Sequence, residues 1–198
     1  ADRTRDAIDV GANIGFFTVL LANLLDKQRV LAIEPTARAY RRLSDNVQMN
    51  CLTDRVITWN GAVSDSVGRT VINSVEGREE YSSLGEIVHP SVGSSTIRQE
   101  ETPTSTLDSL VQEHDLRPGF IKIDVEGSET VVLRGALGVL SEFRPLMAIE
   151  NSDLLLRSNG SSTEELESIV RGAGYAIFDL RRRRIDPESS SSHSPQVP

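Results

Sequence analysis

The sequence predicts an α/β fold, a mostly parallel, doubly wound sheet with helices on both faces. Three observations carry this. Strand and helix patterns alternate along most of the 198 residues. Most strand segments are continuous apolar runs, as strands buried on both faces require, rather than in-out alternations. A glycine-rich stretch, "IDVGANIGFFTVLLA" at residues 8–22, joins the first apolar run to an apolar helix. In such sheets the crossovers are right-handed, and ligands sit at the carboxyl ends of the strands where the strand order reverses.

Ala7–Val10 reads as a short buried strand. Ile14–Leu25 is apolar on nearly all faces and reads as a helix packed on the sheet. Arg29–Glu34 ("RVLAIE") is a second strand. Thr36–Asn50 places Tyr40, Leu43 and Val47 at helical spacing, with Thr36 as the predicted N-cap. Val56–Trp59 begins a third strand that runs to Val63. Residues 64–105 are rich in Ser, Gly, Thr and Glu, with β-like pieces at Thr70–Val75 and around Ile97; they read as an insertion, a hairpin plus a mobile loop. Thr106–His114 is a short helix capped by Thr106, and Phe120–Val125 ("FIKIDV") is a fourth strand. Ser128–Leu140 is one helix, weakened near its end by Gly135 and Gly138. Leu146–Glu150 is a fifth strand, and Ser162–Arg171 is a helix opened by Ser162 and Glu165 in capping-box spacing. Tyr175–Leu180 is a sixth strand. One domain over residues 1–185 is expected, followed by a disordered Ser/Pro-rich tail over 186–198. Domains of this type often carry a helix ahead of the first strand, so a chain short at its beginning is expected.

A net charge of −8 argues against a nucleic-acid partner, since phosphate contacts need basic surface. The Arg181–Arg184 run reads as a solvated edge. No apolar stretch reaches the roughly 20 residues of a membrane span. Cys51 is the single cysteine, so no internal disulfide forms and no oxidising compartment is demanded; with no secretory signal ahead of Asp9, a cytoplasmic location is the default.

The glycine loop bears on function. Gly11 and Gly15 let a ligand lie against the backbone at a helix N-terminus, and Asn13 tolerates positive φ. Asp9 precedes the loop, and Glu34 ends the next strand about 20 residues on, where an acid can accept both ribose hydroxyls. Three readings compete: a tight turn and nothing more, a dinucleotide site of an NAD-linked oxidoreductase, and a nucleoside ligand without pyrophosphate, such as S-adenosylmethionine. The second is disfavoured because "GANIGF" has Asn13 in place of the middle glycine and no third glycine. The third suits the nearby acids, which favour a sulfonium and an ammonium.

"IDVGANIGFFT" resembles motif I of class I methyltransferases, and "IKIDVEGSETVVLRGA" at 121–136 resembles the hallmark segment of the FkbM methyltransferase family. The chain is similar to that family also at "AIEP" (32–35), "NGAVSD" (60–65), "SSL" (82–84), "TSTLDSL" (104–110) and "RPLMAIEN" (144–151), in order and spacing from about residue 7 to 180. The resemblance implies a Rossmann-like seven-stranded class I methyltransferase fold, S-adenosylmethionine as methyl donor, and a hydroxyl acceptor on a sugar, polyketide or similar metabolite. It assigns Asp9, Gly11, Asn13 and Gly15 to the methionine end, Glu34 to the ribose, Ala62 and Val63 to the adenine, Asp65 to its amino group, and Asp124 to a position facing the glycine loop.

A hydroxyl nucleophile gains from a base. Asp124 ranks first as that base, then Glu126 and Glu150, while Glu129 is expected to cap the following helix. Some class I O-methyltransferases hold Mg²⁺ with an acid after strand four and an acid–Asn pair after strand five, as Asp124 with Glu150 and Asn151 would. The family resemblance does not itself imply a metal, and no metal ligand is assigned. Of the histidines, His89 lies in the insertion where a substrate lid is expected, His114 follows a short helix and His193 is in the tail. The insertion is expected to shape acceptor choice. A third possibility, beside methyltransferase and oxidoreductase, is a non-catalytic module of the same fold in a biosynthetic complex.

Overall fold

In chain order the computed structural model runs β1 (Asp6–Val10), α1 (Phe16–Leu24), β2 (Val30–Ile33), α2 (Ala37–Met49), β3 (Val56–Trp59), β4 (Ala62–Val63), β5 (Gly68–Val75), β6 (Arg78–Ser83) and β7 (Ile97–Ser105). It continues through α3 (Leu107–Glu113), β8 (Pro118–Ile123), α4 (Glu129–Arg134), α5 (Leu137–Phe143), β9 (Leu146–Ile149), α6 (Asp153–Ser158) and α7 (Thr163–Gly172). The described residues are 4–75, 78–83, 97–181 and 183–185. His89, His193 and the 186–198 tail lie outside them. Among the described residues no helix is long and apolar enough to cross a membrane.

The central sheet has five parallel strands in the order β3-β2-β1-β8-β9. The chain builds outward from β1 to β3, then returns to the other side of β1 with β8. The strand order therefore reverses between β1 and β8, where a doubly wound sheet opens its ligand crevice. Every residue of β1 is buried, which explains its unbroken apolar character apart from Asp6 and Asp9. Ile8, Val10, Leu31, Ile33, Ile121 and Ile123 face α3, α4, α5 and α7. Ala7, Val30 and Ala32 face α1 and α2, through Ala22, Leu43 and Val47.

Several local readings are corrected. The third strand does not continue to Val63: after β3 the chain changes sheets at Asn60–Gly61, and β4 joins β5, β6 and β7 in a second, four-stranded sheet of order β4-β7-β5-β6. Within residues 64–105 the expected hairpin is present as β5 and β6, β7 is added on the other side of β5, and the expected mobile loop falls on residues 84–96, outside the described residues. Ser128–Leu140 is two helices, because Gly135 sits against the Ser64 carbonyl and its own carbonyl accepts the Asp108 N–H (3.0 Å). Asp108 then caps α5, accepting from the amides of Gly138 (2.9 Å) and Val139 (2.8 Å). Thr36 stands at the head of α2, but its hydroxyl is spent on Glu34. Thr106 and Ser162 do cap α3 and α7, each accepting from the backbone N–H three residues on.

Tyr175–Leu180 is not a sixth sheet strand, and the seven strands implied by resemblance are five in this sheet among the described residues. The segment instead folds back on itself: Asp179 N–H donates to the Arg183 carbonyl and Ile185 N–H to that of Ile177 (both 2.9 Å). Backbone groups satisfied in this local turn are not available to a ladder with β9.

Candidate functional site

Gly11 has φ 76°, and a Cβ there would lie 1.8 Å from the Asp124 carbonyl oxygen. The glycine is therefore required first by the chain itself. It lets the segment after β8 pass directly over the β1 loop, where Asp124 N–H donates to the Val10 carbonyl (3.1 Å). The two crossover loops meet at the switch point, and a cleft of ≈ 220 Å³ opens between them. Val10, Ile33, Val63 and Val125 give it apolar walls, and Ile72 of β5 brings the second sheet to its side. Asn13, Glu34, Asp124 and Glu126 are its polar groups, with Ala62 and Ser128 also on the lining.

Glu34 organises one end. It is almost fully buried, and its Oε1 accepts from the Thr36 amide (2.9 Å) and hydroxyl (2.6 Å). Its Oε2 accepts from the Asn13 amide (2.9 Å), which holds the glycine loop in the left-handed turn where Asn13 has φ 50°. One lone pair of Oε2 is left over by this count, since a carboxylate accepts about four hydrogen bonds. Burial raises the Glu34 proton affinity, against the lowering effect of these hydrogen bonds. Asn60 fixes the adjoining turn by donating to the carbonyls of Glu34 (2.9 Å) and Pro35 (3.2 Å).

The other end is acidic. Carboxyl oxygens of Asp124, Glu126 and Glu150 all lie within 4.8 Å of one another. Burial, then the neighbouring Asp124 charge, pushes Glu150 up to about 7. Three converging carboxyls favour a cation, and nothing besides their convergence marks it as a metal. Asn151 stays out of the group, because its amide oxygen accepts from the Thr163 hydroxyl at the head of α7 (2.9 Å).

Of the residues singled out from sequence, Gly11, Asn13, Glu34, Ala62, Val63, Asp124 and Glu126 line the cleft, and Glu150 joins the acids from the end of β9. Three do not reach it. Asp9 is fully buried beneath the loop, where Oδ2 accepts from the Thr18 hydroxyl (2.7 Å) and Oδ1 lies 3.2 Å from the Lys122 ammonium. Gly15 is not on the lining, and a Cβ there would lie 2.7 Å from Leu43 Cδ1, so its lack of a side chain lets the loop pack closely on α2. Asp65 is exposed outside the cleft and accepts from the hydroxyls of Ser64 (3.4 Å) and Ser66 (3.1 Å). Glu129 closes its own loop, accepting from the amides of Val125 (3.2 Å) and Gly127 (3.1 Å), and burial raises its proton affinity. His114 lies at the end of α3, its carbonyl accepting from Arg29 (2.9 Å).

The sequence reading missed Lys122 and Asn60. Lys122 had a signal: a lysine inside the apolar strand "FIKIDV" must find partners when buried. Asn60 had none beyond its place in "NGAVSD".

The sequence pattern of the Methyltransferase FkbM domain matches residues 9–177, from the acid before the glycine loop to the segment after α7. The chain belongs to the FkbM methyltransferase family. Methyltransferase sdnD of Sordaria araneosa is 27% identical over 152 residues, 65% of this chain and 59% of that protein. The AMB antimetabolite synthetase AmbE of Pseudomonas aeruginosa is 25% identical over 202 residues, 86% of this chain but 9% of that protein. A crystal structure of an FkbM methyltransferase from Methylobacillus flagellatus is 23% identical and superimposes with a TM-score of 0.56, covering 84% of this chain and 37% of that one. The chain thus spans less than two thirds of each of these relatives. The shared fold is the Rossmann-like class I methyltransferase fold, here with a second sheet inserted between β3 and α3.

Proposed function

We propose that this FkbM-family chain binds S-adenosylmethionine in the β1–β8 cleft and methylates a hydroxyl group of a sugar, polyketide or related metabolite. One observation carries the reading: a buried carboxylate that holds the glycine loop and an acidic cluster stand on either side of β1 at one apolar-walled cleft. The donor set fits the ligand. Glu34 and the Asn13 turn suit the ribose, and Val63, Ala62, Ile33 and Ile72 offer apolar contact to the adenine. Asp124 and Glu126 offer negative charge to the cationic methionine end. Asp9 and Gly15 support the loop, and no role is proposed for Asp65, which lies outside the cleft lining.

When bound, S-adenosylmethionine supplies a methyl group activated by its sulfonium. The protein's share is positioning, exclusion of water and removal of the hydroxyl proton. Apolar walls at the cleft strengthen the attraction between the acids and a cation, since the local dielectric is low. Ile72 on the cleft wall supports a role for residues 64–105 in shaping the acceptor pocket. The match within an antimetabolite synthetase supports an acceptor from small-molecule biosynthesis. An exposed, unpaired Cys51 fits a cytoplasmic enzyme.

Calorimetric titration with S-adenosylhomocysteine is the direct test. Saturable binding that weakens in Glu34→Gln is expected, with no binding of NADH. Absence of binding at millimolar ligand overturns the proposal. Mass spectrometry of products from a hydroxyl-acceptor panel tests the oxygen assignment, and a product methylated at nitrogen or carbon refutes it.

A further inference from the structure

The proposed site holds three carboxyls, and a cation sits beneath them that no reading from sequence had placed. We propose that Lys122 is a positioning residue that ties the glycine loop to the acid cluster, drawing the Asp124 carboxylate to its own side and leaving Glu150 as the base for the acceptor hydroxyl. This rests on the methyltransferase reading above.

The arrangement follows from strand register. β8 pairs with β1 so that Lys122 stands beside Asp9, on the face covered by α1. Its side chain is 11% exposed. Its ammonium donates to the Gly11 carbonyl at 2.9 Å and forms ion pairs with Asp9 Oδ1 at 3.2 Å and Asp124 Oδ2 at 3.3 Å. The Phe17 ring covers it from α1, its centroid 5.3 Å from Nζ. Asp9 is in turn held by Thr18 of α1. The ammonium is thus confined from β1, the loop, β8 and α1, and one of its partners is a cleft-lining acid.

Glu150 stands differently. Among the described residues it makes no ion pair, and it shares its surroundings with Asp124, Glu126 and Glu129. Burial, the Asp124 charge and a side-chain hydrogen bond shared with Asp124 raise its proton affinity to about 7, Glu129 adds to this, and Lys122 opposes it. A base of that strength is matched to neutral pH. In the reaction the acceptor O–H proton passes to a Glu150 oxygen and the acceptor oxygen bonds to the methyl carbon. The electron pair of the broken carbon–sulfur bond leaves with sulfur.

The test is a ¹³C NMR titration of the Glu150 carboxyl in ligand-free protein, with the resonance assigned by Glu150→Gln. Lys122→Met alone would strand Asp9 in the interior, so the informative variant combines it with Asp9→Asn. Its midpoint is expected to rise by about one pH unit, because the cation whose charge lowers the Glu150 proton affinity has been removed. Lys122→Arg, which keeps the charge, is expected to stay near the wild-type value. An unmoved midpoint in the folded double variant, or an equal rise in Lys122→Arg, overturns the role of Lys122. Glu150→Gln is expected to lower kcat on the order of 100-fold with little change in acceptor KM, and a wild-type kcat overturns the base assignment. The titration needs neither cofactor nor acceptor. A protein that failed to bind S-adenosylhomocysteine would refute the proposed function and still report on Lys122.

Discussion

The loop after β1 and the loop after β8 are two versions of one device. Each turns through positive φ: Gly11, Asn13 and Gly15 in the first, Glu126 and Gly127 in the second. Each is tied by a buried glutamate that accepts backbone N–H groups of the loop, Glu34 from Asn13 and Glu129 from Val125 and Gly127. Burial raises the proton affinity of both glutamates. The difference lies in where the glutamate comes from. Glu129 belongs to the loop's own helix and is sealed inside, 1% exposed. Glu34 comes from the neighbouring strand, 21 residues from Asn13, and lines the cleft. A tie from within a loop makes a rigid turn. A tie from the next strand makes a rigid turn with one polar edge turned toward the cleft.

The sharpest way to break both loops is to add a single methyl group. Gly11→Ala puts a Cβ into the Asp124 carbonyl, and Gly127→Ala puts one 2.3 Å from the Leu155 carbonyl, both at left-handed backbone. Each is expected to cost about 3 kcal/mol in thermal or urea unfolding. Only Gly11→Ala should also abolish S-adenosylhomocysteine binding beyond what its stability loss explains.

The glutamates themselves should then separate the loops. Glu129→Ala leaves two amides without their acceptor and is expected to cost about 2 kcal/mol of stability. Glu34→Gln presents a donor where only acceptors serve, and is expected to cost about 1 kcal/mol of stability while weakening S-adenosylhomocysteine more than tenfold. Equal losses of binding in the two variants would remove the distinction drawn between them.

A smaller effect concerns pH. Glu150 is raised from 4.5 to about 7 in the folded chain. Between those values the folded state holds a proton that the unfolded state has lost, so stability falls as pH rises through this window. Glu150 is exposed on its outer side, and solvent screening leaves about 1 kcal/mol of this slope. Urea midpoints at pH 4.5 and 8 should show the slope in wild type and its loss in Glu150→Gln. Smallest of all is the effect of metal removal: with the acids serving a cationic ligand, exhaustive EDTA treatment is expected to leave methyl transfer unchanged, and lost activity restored by Mg²⁺ would assign the cluster to a metal.

Much of this was legible because it is periodic or local. Mostly apolar runs marked all five strands of the parallel sheet, and the glycine loop with Glu34 marked the strand ends that bear the cleft. Local cues misled where a distant contact decided. At Gly15 nothing in the local sequence shows that Leu43 of α2 leaves no room for a Cβ. Tyr175–Leu180 reads as a strand until its backbone is found bonded to residues 183–185.

The residue pattern alone determined the layer architecture, the switch-point loop and the acids at the strand ends, because burial of apolar surface and backbone sterics act over a few residues at a time. Only the tertiary structure decided that Gly11 serves the Asp124 carbonyl, that Asp9 lies beneath the loop rather than in the cleft, and that Lys122 stands among three oxygens. Those outcomes depend on how β1 and β8, more than a hundred residues apart, come into register. Hydrogen-bond and ion-pair energies are settled by distances of a few ångströms that no spacing along the chain encodes.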